Sequence, residues 1–313
     1  MRTRLFLAVL LVMSACSAID ANLETHGRQA DSASPLPAPS PTPEPEPSLD
    51  EPEPAPPFAP APRSRLPRNT DALAAKLEKV TGALHASIRK WRRSNEPRPP
   101  KVVVLQTLYQ QRIYRLMAKR SELGNETLRR LDGMLARTSQ DIVSAFRLLR
   151  SLVTPLKPGF VFKTGRFKPA AELLGFYKRA QRRFGVDWRV LAAVNYVETK
   201  FGRVKSTSTA GAQGPMQFLP STWAAYGLGG NIKDDRDAIM GAANYLKSSG
   251  ATDGPSGLRG ALYAYNHSSA YVRAVLKLAR DMKRRTRHYF AIYNWQVFVA
   301  TTKGDKRLTG PGL

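Results

Sequence analysis

The sequence predicts a mostly α-helical protein: a helical domain toward the C-terminus, preceded by a basic helical region and a disordered proline-rich linker. Three observations carry this. Apolar residues recur at three- and four-residue spacing through much of the chain after residue 64, which is the spacing of one helix face. No segment shows strong period-2 alternation, the mark of a half-buried strand. Thirteen of the 24 prolines crowd between Pro35 and Pro62. Proline lacks a backbone donor and fixes φ, so that stretch builds neither helix nor sheet.

At the N-terminus, Arg2 and Arg4 precede nine apolar residues, Leu5 to Met13. A bilayer span needs about 20, so residues 1–15 are expected to be an export signal rather than a membrane helix. Small residues lead into Cys16, the only cysteine, so no internal disulfide can form. This resembles a bacterial lipoprotein cleavage site, where the thiol is lipidated. The alternative is an ordinary cleaved signal with an incidental cysteine. Residues 16–63 are expected to be the linker. In polyproline II geometry the 28 residues from Pro35 to Pro62 would reach about 85 Å.

Charge is segregated along the chain. Residues 1–16 carry +2, residues 17–63 carry −6, and residues 64–313 carry +29, giving the net +25. A folded part this basic seeks a polyanion. Nucleic acid is disfavoured, because an export signal precedes the basic part and no nucleic-acid motif is present.

Residues 64–158 read as a basic helical region. "TDALAAKLEKVTGALHASIRKW" offers Thr70 or Asp71 as N-cap and a stripe of Leu73, Leu77, Val80 and Leu84. "VVVLQTLYQQRIYRLMAKR" follows the "NEPRPPK" break, with Leu105, Leu108, Ile113 and Leu116 among its apolar positions. "ETLRRLDGMLARTSQDIVSAFRLLRSLV" reads as a third helix. The region is either a solvated hairpin or spacer, or a binding and docking module. His85 is expected at the surface.

Residues 159–303 read as the helical domain proper, with 304–313 as a tail. "KPAAELLGFYKRAQRRFGV" is an amphipathic helix. Asp187 suits an N-cap for "WRVLAAVNYVETK", with Gly202 as its stop. Asp235 or Asp237 can cap "DAIMGAANYLKSS", Ser256 can cap "GLRGALYAYN", and Ser268 or Ser269 can cap "AYVRAVLKLARDMKRR".

Leu191, Val194, Asn195 and Glu198 fall on one helix face, the apolar one. Burial disfavours the Glu198 carboxylate, and so does the partial negative charge of a helix C-terminus. Both effects favour a proton-holding carboxylic acid, which is what a general acid requires. The loop "STSTAGAQGPMQF" supplies small residues that let a ligand approach backbone, then the amides of Gln213 and Gln217. Tyr263, Tyr265 and Asn266 add rings that can stack on sugars and an amide suited to an acetamido group.

Taken together, "ETKFG", "STAGAQGPMQFLPSTW" and "ALYAYNHSSAYVRAVL" resemble the lytic murein transglycosylases. The likeness is greatest to the branch around membrane-bound lytic transglycosylase B, in its actinobacterial-type exported form. It covers about 140 residues. The resemblance implies a lysozyme-like, mostly helical fold with Glu198 as the single acid/base. Thr199, Gln213, Met216 and Gln217 would line the sugar cleft, Tyr265 and Asn266 would flank the scissile muramyl residue, and Tyr271 would lie nearby. Thr199 stands where the family usually has serine, and the hydroxyl is kept.

The implied reaction cleaves between N-acetylmuramic acid and N-acetylglucosamine and leaves a 1,6-anhydromuramyl end, without water. A hydrolase would need a second carboxylate about 5–9.5 Å away, for which Asp234, Asp235 and Asp237 are the nearby candidates. Two rival readings remain: a muramidase cutting the same bond, and a wall-binding protein without turnover. His267 is expected to order its loop. No cofactor and no metal site are expected, since four histidines and one cysteine lie scattered. The partners expected are peptidoglycan strands, anionic wall polymers and, through a lipid on Cys16, the outer face of a bacterial membrane.

Overall fold

The computed structural model describes residues 58–94, 96–157 and 162–313, and residues 58–313 form one compact unit. The export signal, Cys16 and residues 16–57 of the expected linker lie outside the described residues.

The chain is mostly α. Helix α1 (Thr70–Arg93) is capped by Asn69, whose Oδ1 accepts from the Ala72 N–H at 2.8 Å. The cap lies one residue ahead of Thr70. Asp71 instead sits in the first turn, where its charge complements the helix dipole. The stripe of Leu73, Leu77, Val80 and Leu84 is fully buried, as the periodicity predicts.

Helix α2 (Lys101–Lys119) follows two prolines and buries Leu108 and Ile113, while Leu105 and Leu116 are only half-buried. Its buried face takes in three glutamines that the apolar pattern misses. Gln106 donates to the Phe58 carbonyl at 2.7 Å, and Gln110 donates to the Thr81 hydroxyl at 2.9 Å. Gln111 exchanges two hydrogen bonds with the Gln296 backbone. Arg112 donates to the Pro62 carbonyl at 3.2 Å. Residues 58–63, expected within the linker, therefore lie against α2. The third expected helix is two, α3 (Ser121–Arg129) and α4 (Gly133–Ser151), with Gly133 turning the chain at φ +53°.

In the second half come α5 (Ala170–Phe184), α6 (Trp188–Thr199), α7 (Pro220–Tyr226) and α8 (Asp235–Ser248). They are followed by α9 (Gly254–Tyr265), α10 (Ser269–Arg284) and α11 (Thr286–Tyr293). Asp187 caps α6 and Ser268 caps α10, as expected. Asp234, not Asp235 or Asp237, caps α8 by accepting from the N–H groups of Arg236 and Asp237. Helix α9 starts at Gly254–Pro255, ahead of Ser256, because proline is tolerated in a first turn.

Strands β1 (Phe298–Thr301) and β2 (Gly304–Arg307) form an antiparallel hairpin that the sequence did not signal. Neither strand buries one face and exposes the other, so no alternation marks them. Residues 304–307, expected within the tail, are β2 itself.

Helix α6 is buried along its whole length except at Arg189, packed by α5, α8 and α10. Aromatic rings close around it: Tyr196 meets Phe201 and Trp295, and Phe201 meets Tyr289 and Tyr293. Helix α10 packs on α6 and on α4. The α4–α10 seam also carries a polar lock. Asp141 of α4 accepts from Arg280 Nε at 2.9 Å and Arg284 Nη2 at 2.6 Å. Burial alone would raise the Asp141 carboxyl, but the two arginines outweigh it and hold it below its usual range. Asp281 of α10 accepts from the Thr138 hydroxyl at 2.8 Å and contacts His288 Nδ1 at 3.0 Å. His85 is half-buried, not exposed, and stacks on His288 with centroids 5.5 Å apart. Burial, then the charges of Arg287, His288 and Arg89, lower its pKa to about 3.

Candidate active site

Glu198 ends the buried helix α6, and its surface is 5% exposed. The helix stops there because Lys200 and Phe201 both take left-handed backbone, at φ 55° and 61°, followed by Gly202 at 73°. The stop thus spreads over three residues rather than resting on Gly202 alone. Burial raises the Glu198 pKa to about 8, against two smaller opposing effects. One is a 2.8 Å hydrogen bond from the Tyr271 hydroxyl to Oε1, and the other is the nearby charge of Lys200. The carboxyl therefore holds its proton at neutral pH, the state the sequence argument anticipated.

Two clasps shape the loop beneath it. The Thr199 hydroxyl donates to the Pro215 carbonyl at 2.6 Å and accepts from the Gly202 N–H at 2.9 Å. The Tyr265 hydroxyl donates to the Met216 carbonyl at 2.6 Å. Between them the chain reverses: Gln213 and Phe218 exchange backbone hydrogen bonds of 2.8 and 3.0 Å. Gly214 is required in this turn. It adopts φ 73°, and a Cβ there would overlap the Ile232 carbonyl oxygen. Gln217, also left-handed at φ 51°, turns its amide back to donate to the Gly214 carbonyl at 3.0 Å.

The structure thus brings Glu198, Thr199, Tyr265, Tyr271 and the 213–218 loop into one cluster. The Glu198 charge is felt at both tyrosines, whose pKa values burial already pushes well up. Three expected contacts sit deeper than a cleft wall. The Met216 side chain, the Thr199 hydroxyl and the Tyr271 ring are fully buried, so Met216 contributes its carbonyl and Thr199 holds the loop. Gln213 and Gln217 remain half-exposed.

Several buried polar atoms lack a protein partner: Asn195 Nδ2, Gln217 Oε1 and Asn266 Oδ1. Atoms of this kind also occur far from the loop, at Gln106, Arg147 and Arg307 among others, so they do not by themselves mark a site. His267 is exposed and lies edge-on to Tyr263, which is 49% exposed. Of the second-carboxylate candidates, Asp234 caps α8 and Asp237 Oδ2 accepts from the Asn231 N–H. Asp235 is buried, its Oδ1 has no partner, and burial raises its pKa.

Residues 176–288 match the transglycosylase SLT domain. That segment runs from α5 into α11 and contains Glu198, the 213–218 loop, Tyr265 and Tyr271. Among curated proteins, the chain is similar to the membrane-bound lytic murein transglycosylase F of Thiobacillus denitrificans (strain ATCC 25259 / T1). The two are 35% identical over 75 residues, which is 24% of this chain and 16% of that one. It is also similar to the protein of that name from Pseudomonas fluorescens (strain Pf0-1), 32% identical over 108 residues, 33% of this chain and 22% of that one. The similarity therefore spans less than a quarter of the length of these relatives. No solved structure matches the chain. Residues 176–288 of this mostly α chain are thus similar to a transglycosylase domain, and the helices before them lie outside the likeness.

Proposed function

We propose that the protein cleaves the glycan strands of peptidoglycan as a lytic transglycosylase, with Glu198 as the only acid and base. The observation that carries this is a buried carboxyl whose pKa of about 8 keeps it protonated at neutral pH, with Tyr271 on one oxygen. With Oε1 occupied, Oε2 is left to carry the proton to the oxygen joining N-acetylmuramic acid to N-acetylglucosamine. The oxocarbenium-like centre is relieved by the substrate's own 2-acetamido group. Glu198, now ionised, takes the proton of the C6 hydroxyl, and that oxygen closes on C1. The product is a 1,6-anhydromuramyl end, and the enzyme regains its proton.

Gln213, Gln217 and Asn266 supply amides for sugar hydroxyl and acetamido groups. Thr199, Met216 and Tyr265 hold the loop that presents them. Asp235, buried and pushed toward its neutral form, is a poor candidate for the ionised second carboxylate of a hydrolase. Membrane association is carried in this reading by a lipid on Cys16, with the linker as spacer. No helix among the described residues is long and apolar enough to cross a membrane. The basic surface would hold the enzyme on anionic wall polymers. Placement in the B branch rests on motif likeness, whereas the curated relatives carry the F name.

The test is to digest purified peptidoglycan and weigh the soluble muropeptides. Anhydromuramyl ends that vanish in Glu198→Gln are expected. Reducing ends would make the protein a muramidase, and Asp234, Asp235 and Asp237 would each be replaced in search of the second carboxylate. The absence of soluble product would leave a wall-binding protein.

A further inference from the structure

The seam between α1 and α11 gathers positive charge with no acid to meet it. The two helices pack through rings: His85 of α1 stacks on His288 of α11, and Trp91 meets Phe290 edge-on at 5.6 Å. Arg89 follows His85 by four residues, so it lies one turn along on the same face of α1. It therefore faces the start of α11, where Arg285 and Arg287 stand. The Arg92 guanidinium lies 4.8 Å over the Phe290 ring. The charges act on one another. Burial, then Arg285 and Arg89, lower the Arg287 pKa, and Arg287 and Arg89 add to the burial that lowers His85.

Other arginines of the fold are paired. Asp141 holds Arg280 and Arg284, and Asp305 holds Arg115 and Arg150. Among the described residues, Arg89, Arg92, Arg285 and Arg287 form no ion pair and donate no hydrogen bond. Of the acids near them in sequence, Asp281 is engaged by Thr138, Arg284 and His288, and Glu78 and Glu96 pair with nothing. Unpaired like charges repel and cost stability, so such a cluster suits an anion supplied from outside. The guanidinium fork takes two phosphate oxygens at once. Arg92 and Arg93 carry the positive charge about 6 Å along α1 from Arg89, far enough to meet a second phosphate. Bilayer headgroups carry the same group, but a helix lying on a bilayer sinks large apolar residues into it. The exposed large apolar residues, Leu228, Tyr263 and Leu313, lie on neither helix, and Trp91 and Phe290 are buried. A polymer in solution is the better fit.

We propose that the α1–α11 seam binds a phosphodiester polymer of the cell wall. Arg89, Arg285 and Arg287 grip one phosphate, and Arg92 and Arg93 meet the next. The inference deepens the proposed function, on which the choice of a wall polymer rests. None of these residues belongs to the Glu198 cluster, so binding and cleavage are separable.

The test is calorimetric titration of the full chain with lipid-free poly(glycerol phosphate). Polygalacturonate, a carboxylate polymer, and vesicles of phosphatidylglycerol and phosphatidylcholine are the comparisons. Exposed charge contacts are weak singly, so Arg89→Gln and Arg285→Gln should each weaken the phosphate polymer about threefold. With Arg287→Gln added, the triple variant should bind about thirtyfold more weakly, and its slope of log affinity against log salt should be shallower by about two. Lys178→Gln, Arg182→Gln and Lys247→Gln together remove the same charge from α5 and α8 and should weaken binding by no more than about threefold. Thermal melts verify folding, and the two exposed single variants decide the matter if the triple variant does not fold. Equal losses in the two triple variants would make the seam part of a diffuse basic surface and overturn the site. So would a wild type that does not bind the phosphate polymer, or that binds polygalacturonate equally well. If only vesicle binding responds to the arginines, the partner is a membrane and the polymer is overturned. Anhydro-end formation from purified peptidoglycan is read separately and should persist in the seam variants. Cleavage without polymer binding overturns the seam alone, and polymer binding without cleavage overturns the proposed reaction alone.

Discussion

Replacing Tyr271 with phenylalanine removes a single hydroxyl, the one that donates to Glu198 Oε1 at 2.8 Å. Both residues are buried, so water does not replace it freely. A hydrogen bond to a charged acceptor is worth about 1.5–3 kcal/mol and one to a neutral acceptor about 0.5–1.5. The ionised carboxylate therefore loses about 1–1.5 kcal/mol more than the neutral acid, which is about one pKa unit at 1.36 kcal/mol per unit. The Glu198 pKa, about 8 in the wild type, should move up by that amount. As the acid must be protonated to act, activity falls as pH rises through this pKa. The alkaline limb of the pH profile of kcat/KM on purified peptidoglycan should therefore move from about 8 to about 9 in Tyr271→Phe. Lower activity at pH 7 is also expected, because Oε1 is no longer held. An unmoved limb, or one displaced to lower pH, would refute the claim that this hydroxyl steadies the ionised form.

The other perturbations touch the same cluster. Glu198→Gln keeps the shape but removes a group whose folded pKa is raised. The unfolded chain ionises above about 4.5 and the folded chain only near 8, so the wild type loses stability as pH rises across that window. The amide is expected to melt higher than wild type at pH 9, with the gain shrinking toward zero near pH 4; an equal gain at both ends would contradict this. Gly214→Ala forces a side chain onto the Ile232 carbonyl at positive φ. It should cost about 2–4 kcal/mol in chemical denaturation and suppress sugar binding, because the 213–218 loop can no longer lie flat.

Helix identity was legible wherever one face was apolar and the next polar. The α1 stripe and the caps Asp187 and Ser268 are read directly from residue type and spacing. Helix α2 was read less well, because three of its buried residues are glutamines whose partners are 29 to 185 residues away in sequence. No local pattern encodes a partner at that distance. The hairpin was missed for a related reason: its two strands are held by each other and by Leu156, not by an alternation of their own. Within the candidate site, Glu198 stood out because a carboxylate on an apolar helix face is costly unless it has a task. The division of labour around it could not be read. A hydroxyl at 199 and a tyrosine at 265 look like sugar contacts in a list of residues. Only their partners, the carbonyls of Pro215 and Met216, reveal them as clasps on the loop.

The sequence suggests a boundary at residue 158, yet the packing argues against cutting there. Tyr271 lies in the first turn of α10, and α10 leans on α4. Val275, Leu278 and Met282 of α10 are almost wholly buried, and Asp141 and Thr138 of α4 meet its charged residues. Removing residues 1–158 takes away helices α1, α2, α3 and α4 together. It also strips the Asp141 carboxylate from Arg280 and Arg284 and leaves the apolar face of α10 open to water, at about 25 cal/mol for each Å² exposed. A typical domain holds only about 5–15 kcal/mol in all. Residues 159–313 expressed alone should therefore show no cooperative melt and no activity, although they contain the whole matched segment. Residues 58–313 should keep both. A cooperative transition and wild-type cleavage by the shorter piece would mean that α10 can place Tyr271 without α4, and that the N-terminal helices serve the wall rather than the fold.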